Sequence, residues 1–173
     1  MAASETLSEE ERRVLRILCD TLVPSIPMAD DGNGFWARKA SALGIDGDIT
    51  QIVETYLSPE QRADFRRLLR TVERQILNLV LAGTAQRFPA MDAAARERYL
   101  LGWAHSRLGV KRKGFHAIKR LTEFLFYAKA PLDGGNPNWA SIGYDAPDDA
   151  ERAKWRHPDE LRIVPVRPEK ETT

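Results

Sequence analysis

The sequence predicts an all-α protein: a bundle of about six helices followed by an extended, proline-rich C-terminal tail. Apolar residues recur at the 3.6-residue spacing of an amphipathic helix through the first 130 residues. Helix-capping residues precede most of these stretches, and no segment shows the sustained two-residue alternation of a half-buried strand. We therefore expect a helical bundle domain over residues 1–130 and an extended docking tail or connector over residues 131–173.

The first helix is predicted to begin after Ser8. Ser8 and Glu11 have the spacing of a capping box, in which each side chain accepts a hydrogen bond from the other residue's backbone N–H. Apolar residues then follow at helical spacing until Pro24 and Pro27, which cannot continue a helix.

Two shorter helices are predicted next. Residues 35–43 form the first of them, and Gly44 ends it because glycine adopts the left-handed conformation of a helix C-terminus without strain. Asp46 or Asp48 then caps the third helix, which has Ile49 on its apolar face.

The fourth helix has the most complete set of signals. Ser58 is its N-cap, Pro59 suits the first helical position, and Gln61 completes a second capping box. Its apolar residues keep the helical period as far as Gly83, so we expect a long helix that forms the spine of the bundle.

The last two helices are predicted on either side of a basic turn. Asp92 caps the fifth helix and Gly109 ends it. The sixth runs from about Lys113 to Ala130, where Pro131 terminates it.

The tail combines turn-forming and apolar residues. Six of the ten prolines follow residue 130, yet the same segment contains Trp139, Tyr144 and Trp155. A solvated disordered tail usually lacks such aromatic residues. We therefore expect the tail to lie against a surface, which is either its own bundle or another chain.

Composition and charge limit the classes of function. The chain has 173 residues, a formal net charge of +1 and 43% hydrophobic residues, an ordinary globular balance. The near-neutral charge gives no global attraction to nucleic acid or membrane surfaces. Cys19 is the one cysteine of the sequence, which excludes an internal disulfide and a thiolate zinc site. Its place in an apolar helical stripe indicates a buried side chain rather than a nucleophile.

The N-terminal residues give an expectation about location. Residues 1–11 are acidic and polar, without the basic start and apolar run of a cleaved export signal. No stretch approaches the roughly 20 apolar residues of a membrane span. We therefore expect a cytoplasmic protein without a transmembrane segment, exported only in association with a partner.

No pattern in the sequence indicates a catalytic or cofactor site. The three histidines form no paired metal-ligand motif. The loop Asp30–Gly34 lacks the ligand spacing of a calcium loop, and no glycine-rich nucleotide fingerprint follows a strand. We expect no catalytic residue, no metal and no cofactor bound by this chain.

One basic cluster surrounds the turn before the sixth helix. Its members are Arg107, Lys111, Arg112, Lys113, Lys119 and Arg120. Cations at a helix N-terminus oppose the helix dipole, so the sequence tolerates a local electrostatic cost there. The cluster is a solvated turn, a docking surface for an acidic patch on a partner protein, or a contact to a phosphate backbone.

Four stretches together resemble a known family: Phe35–Ala40, Leu57–Phe65, Lys111–Phe115, and Asn136–Trp139 with Ile142–Tyr144. They are similar to the N-terminal helical region of long-chain (fatty) alcohol oxidases of the glucose-methanol-choline flavoprotein family. They also resemble, more loosely, the small subunit 3 of gluconate 2-dehydrogenase. The resemblance covers nearly the whole chain.

The resemblance implies a role beside a flavoprotein. In the fused oxidases the helical region continues through a proline-containing connector into the flavin-binding strand. Residues 161–173 look like that connector, so we expect FAD to be bound by a separately encoded catalytic subunit, with a truncated fusion protein as the other explanation. This chain is then a non-catalytic accessory subunit of a hetero-oligomeric alcohol or sugar oxidoreductase. Its implied roles are to stabilise the flavin subunit and to shape access to its site.

The residues expected to bind the partner come from the basic turn and the tail. They are Arg107, Lys111, Arg112, Lys113, Phe115, Asn136, Asn138, Trp139, Tyr144 and Trp155. The alternative function is a helical regulatory or nucleic-acid-binding module that uses the basic turn at residues 107–120. A third hypothesis is an enzyme with His105 or His116 as its base.

Overall fold

The computed structural model describes residues 6–73, 86–129 and 135–144. Within these ranges the chain forms five α-helices: α1 (Glu9–Leu22), α2 (Ile45–Tyr56), α3 (Pro59–Glu73), α4 (Ala93–Ala104) and α5 (Gly109–Ala128). Three short 3₁₀ helices span Ala40–Leu43, Phe88–Ala90 and Ala140–Ile142. The part of the chain described here has no strand, which confirms the all-α prediction, although with five α-helices rather than about six.

Helix α1 is the centre of the bundle. It contacts each of the other four helices, and its buried residues Val14, Leu15, Leu18 and Cys19 form the stripe that the sequence predicted. The thiol of Cys19 lies 3.6 Å from the hydroxyl oxygen of Thr122 on α5. Burial raises the pKa of this thiol to about 12, so Cys19 stays protonated and serves as a core residue.

An ion-pair network joins the start of α1 to α3. Glu11 is 4% exposed, and its carboxylate accepts hydrogen bonds from Arg66 Nε at 3.1 Å and Arg70 Nε at 2.9 Å. Burial alone would raise the pKa of Glu11. The hydrogen bonds from Ser8 and Arg66 and the charge of Arg66 outweigh burial and hold that pKa below its ordinary value.

The predicted helix caps are largely confirmed. Glu11 accepts from the backbone N–H of Ser8 at 2.8 Å, and the hydroxyl of Ser8 accepts from the N–H of Glu11 at 3.3 Å. Ser58 and Gln61 make the same reciprocal pair at 2.9 and 3.3 Å. Asp92 caps α4 by accepting from the N–H of Ala95 at 2.8 Å.

The predicted second helix, residues 35–43, is wrong in most of its length. Only Ala40–Leu43 are helical, as a 3₁₀ turn that ends at Gly44 with φ +67°. Residues before Ala40 follow a loop that is held by Asp31 instead of by helical hydrogen bonds. Gly44 is also the N-cap of α2, so Asp46 and Asp48 lie inside the first turn and neither of them caps the helix.

The boundary between the last two predicted helices is also corrected. Helix α4 ends at Ala104, and Gly109 begins α5 instead of stopping the helix before it. Lys113 is therefore already inside α5, which ends at Ala128. The fourth predicted helix is confirmed as far as Glu73, and its predicted continuation to Gly83 lies outside the described residues.

Candidate partner-binding surface

A loop between α1 and the first 3₁₀ turn presents Trp36 at the surface. Asp31 accepts hydrogen bonds from the backbone N–H groups of Trp36 and Ala37 at 3.1 and 2.8 Å. Gly34 has φ +66°, a left-handed conformation that lets the chain reverse between these partners. The carbonyl of Trp36 accepts from the N–H of Ile26 at 2.7 Å. Trp36 is 46% exposed in this loop.

Residues 135–144 form turns and a 3₁₀ helix against the C-terminal half of α5, not the extended chain that the sequence predicted. The side-chain amides of Asn136 and Asn138 donate to the carbonyl oxygen of Phe126 at 2.8 and 2.9 Å. The indole N–H of Trp139 donates to the carbonyl of Tyr127 at 2.7 Å. These carbonyls lie in the last turn of α5, where helix geometry leaves them without an intrahelical donor.

Side chains from three elements enclose an open groove of about 830 Å³ beside the C-terminal half of α5. We call it the aromatic groove and define it by Trp36, Phe124, Tyr127, Trp139, Ile142 and Tyr144. Phe124 is 65% exposed and Tyr144 is 47% exposed. Trp139 and Tyr144 stack edge to face with ring centroids 5.2 Å apart. An exposed apolar patch of this kind is typical of a site that binds another molecule.

The predicted basic residues gather at the other end of α5. Arg107 and Lys113 are exposed, while Lys111 lies 5.7 Å above the ring of Trp103 and Arg112 donates to the carbonyl of Ser106 at 2.9 Å. Phe115 is half-buried against the core rather than exposed. Since α5 has 20 residues, the two ends of the helix are about 30 Å apart at roughly 1.5 Å per residue.

The structure therefore divides the predicted partner-binding residues into two groups. Trp139 and Tyr144 line the aromatic groove with Asn136 and Asn138 buried in the same segment, and the basic residues lie together at the start of α5. Asn136 and Asn138 are buried and donate to the carbonyl of Phe126 in the same chain. They therefore position residues 135–144, which form one wall of the groove and are called the groove wall. A direct contact of these two residues with a partner stays a prediction. Trp155 lies outside the described residues.

Phe124 and Tyr127 were not among the partner-binding residues predicted from the sequence. Both lie on the outer face of α5, off the inward stripe of that helix, and both are exposed. Two aromatic residues on the polar face of an amphipathic helix are the signal that would have identified them.

Histidines and carboxylates do not gather into a site in the described ranges. No group of three metal-ligating side chains occurs there, and His105 and His116 are both exposed. No helix in these ranges is long and apolar enough to cross a membrane.

Comparison with known protein families relates the chain to one of them. The family model described as gluconate 2-dehydrogenase subunit 3 matches residues 9–146, which include all five α-helices and the aromatic groove. No curated protein and no solved structure is significantly similar to the chain.

Proposed function

Since the chain belongs to the gluconate 2-dehydrogenase subunit 3 family, we propose that it is a non-catalytic accessory subunit of an FAD-dependent alcohol or sugar oxidoreductase. The observation that carries this proposal is the match of the family model over residues 9–146. Membership of this family indicates an accessory subunit of a dehydrogenase complex. The flavin and the glucose-methanol-choline class of the partner are supported by the resemblance of four stretches of this chain to the fused fatty alcohol oxidases.

The aromatic groove supports a role in assembly. Trp36, Phe124 and Tyr144 together expose large apolar surfaces on one side of the molecule. Burying apolar surface contributes about 25 cal/mol per Å², and buried aromatic side chains often dominate the energy of an interface. A subunit that binds through this groove stabilises the catalytic subunit by binding its folded state in preference to its unfolded state.

The groove wall also favours a surface that is formed before the partner binds. Asn136, Asn138 and Trp139 attach the wall to α5 through three hydrogen bonds to carbonyls of Phe126 and Tyr127. A wall that is already ordered loses less conformational entropy on binding than a free tail would lose. As the second role of the chain, we propose that residues near the groove border the entrance of the partner's site.

The test is purification of the full chain with an affinity tag from its native host. We expect a yellow flavoprotein to co-purify in a fixed ratio and to reduce a dye acceptor when an alcohol or sugar is added. The separated chain is expected to be colourless and inactive. Co-purification of a stable partner that contains no flavin would refute the flavin part of the proposal. The absence of any stoichiometric partner would refute the proposal as a whole.

A second arm tests stabilisation directly. The flavoprotein is expressed with and without the chain, and its soluble yield and thermal unfolding midpoint are compared. We expect both to fall without the chain. Equal yield and equal midpoint in the two preparations would contradict the stabilising role.

A further inference from the structure

Helix α5 carries a straight stripe of exposed residues along its outer face. The α5 stripe consists of Lys113, Ala117, Arg120, Phe124 and Tyr127, which are all exposed. Successive members are four, three, four and three residues apart. This spacing averages 3.5 residues, close to one helical turn, so the row of five side chains runs almost parallel to the helix axis.

The stripe is opposite the face of α5 that binds the bundle. Ile118, Thr122 and Phe126 are the buried residues of this helix, about half a turn away from the stripe. The helices that contact α5 therefore lie on its other side, and the stripe faces outward.

Charge and apolar character are separated along the stripe. Its first half is basic, with Lys113 and Arg120, and the exposed His116 lies beside it. Its second half, Phe124 and Tyr127, lines the aromatic groove. The nearest carboxylate on this helix is Glu123 on the flank, and it pairs with Lys119 at 2.8 Å. The stripe thus offers an apolar contact at one end and cationic contacts at the other.

We propose that the α5 stripe binds one continuous segment of the catalytic subunit, which places an apolar side chain in the aromatic groove and carboxylates on Arg120 and Lys113. This inference rests on the proposed function, because it names the chemistry of the partner's contact segment. Carboxylates are expected because they complement the charges of Lys113 and Arg120. An apolar side chain is expected because it can pack against the exposed rings of Phe124 and Tyr127.

The geometry of α5 sets the spacing within the partner segment. Arg120 is about 6 Å and Lys113 about 16 Å from Phe124 along the axis, at roughly 1.5 Å per residue. A helical partner segment would therefore carry its carboxylates about 4 and 11 residues from the apolar anchor. An extended segment would carry them about 2 and 5 residues away, at roughly 3.3 Å per residue.

A second copy of this chain is a poor occupant of the stripe. If two stripes met with their helices antiparallel and fully overlapped, Arg120 at the centre of each would face Arg120 of the other, and no carboxylate would lie between them. If they met parallel, Arg120 would face Arg120. Both arrangements bring two Arg120 guanidinium groups together without a carboxylate, which is unfavourable.

The first experiment reverses the stripe's charge in the full chain and compares it with a matched control. Lys113→Glu with Arg120→Glu changes the net charge by −4, and so does the control pair Arg16→Glu with Arg98→Glu on exposed positions of α1 and α4. The dissociation constant of each complex with the co-purifying flavoprotein is measured at several salt concentrations. We expect the stripe variant to bind roughly tenfold more weakly at low salt and to depend less on salt. The control should stay within about twofold of the unmodified chain.

The second experiment identifies the partner segment chemically. A zero-length carbodiimide reagent joins the amine of Lys113 to a carboxylate only when the two are in contact, and a photoreactive phenylalanine at position 124 reports on the apolar anchor. We expect both cross-links to fall in one segment of the flavoprotein, with a carboxylate and an apolar residue at the spacing given above.

The outcomes separate this inference from the proposed function. If the complex forms but the stripe variant binds like the control, or the two cross-links fall in unrelated segments, the inference is overturned and the proposed function stands. If no flavoprotein complex forms, both fail. Self-association of the chain that the stripe variant abolishes, or low-salt binding of a single-stranded DNA oligonucleotide through Lys113 and Arg120 without any effect on the complex, would also overturn the inference.

Discussion

The side-chain amide of Asn138 donates a 2.9 Å hydrogen bond to the backbone carbonyl of Phe126, twelve residues earlier in the chain. Asn138 is fully buried, and its side-chain oxygen accepts a hydrogen bond from the guanidinium of Arg38. The residue thus connects α5, the loop that presents Trp36 and the segment that carries Tyr144. These are the three elements that enclose the aromatic groove.

Replacing Asn138 with alanine is therefore expected to destabilise the chain. The substitution removes one buried hydrogen bond to the Phe126 carbonyl, which keeps Asn136 as a donor, and one half-buried hydrogen bond from Arg38, and together these losses cost about 1–3 kcal/mol. The free energy of unfolding is measured by urea titration followed by circular dichroism. Ser141→Ala is the control, since it removes one exposed hydrogen bond with Asn33 and should cost at most about 0.5 kcal/mol. Equal effects of the two variants would show that Asn138 does not hold the groove together.

Local chemistry explains which parts of the fold were predictable. The capping boxes at Ser8 and Ser58 and the cap at Asp92 depend on residues within three positions of each other, and all three are confirmed. Gly109 was assigned to the end of a helix although it begins one, because glycine is compatible with both positions and the local sequence does not distinguish them.

The groove was predicted only in part because it depends on distant parts of the chain. Trp139 and Tyr144 were identified as aromatic residues in a proline-rich segment, but Trp36 comes from a loop about 100 residues earlier, and Phe124 from the outer face of the preceding helix. The role of Asn136 and Asn138 required the position of the end of α5, which the sequence places only to within a few residues.

Glu11 is expected to make stability depend on pH in the acid range. Its folded-state pKa is lowered, so its contribution to stability is complete above the ordinary value of 4.5 and is lost as pH falls through the folded pKa. Glu11→Gln should lower the free energy of unfolding by about 1–2 kcal/mol at pH 7, and the difference from the unmodified chain should shrink below about pH 4.5.

Urea titration at several pH values measures this difference. Glu10→Gln is the control, because Glu10 makes a more exposed ion pair with Arg13 at 3.9 Å. A Glu11→Gln effect that is constant between pH 7 and the acid range would contradict the assignment, since it would then come from packing rather than from the charge.

Cys19 is expected to be unreactive in the folded chain. Its thiol is fully buried and its pKa is raised to about 12, so thiolate is scarce at neutral pH and reagents have no access. A disulfide reagent such as Ellman's reagent should label Cys19 only after the chain is unfolded in urea. Tyr56→Cys provides the exposed control, because Tyr56 is 78% exposed on α2, and the new thiol should react at once. Rapid labelling of Cys19 in the native chain would show that the α1–α5 contact opens readily.

The aromatic groove leads to a prediction that separates binding from folding. Phe124→Ala and Tyr144→Ala each remove a half-exposed ring, so the free energy of unfolding should change by about 0.5 kcal/mol or less for Phe124→Ala and only modestly for Tyr144→Ala, which also loses its contact with Trp139.

Binding to the flavoprotein should respond much more strongly than folding does. Aromatic residues at the centre of an interface contribute more than about 1.4 kcal/mol each, so each variant should weaken the complex at least roughly tenfold by titration calorimetry. Tyr56→Ala is the matched control, because it removes an even more exposed ring from α2, outside the groove, and it should leave the affinity unchanged. If Tyr56→Ala weakens the complex as much as Phe124→Ala does, the interface includes α2 and the groove is not its centre. If neither groove variant changes the affinity, the exposed rings of α5 and residues 135–144 do not contact the catalytic subunit.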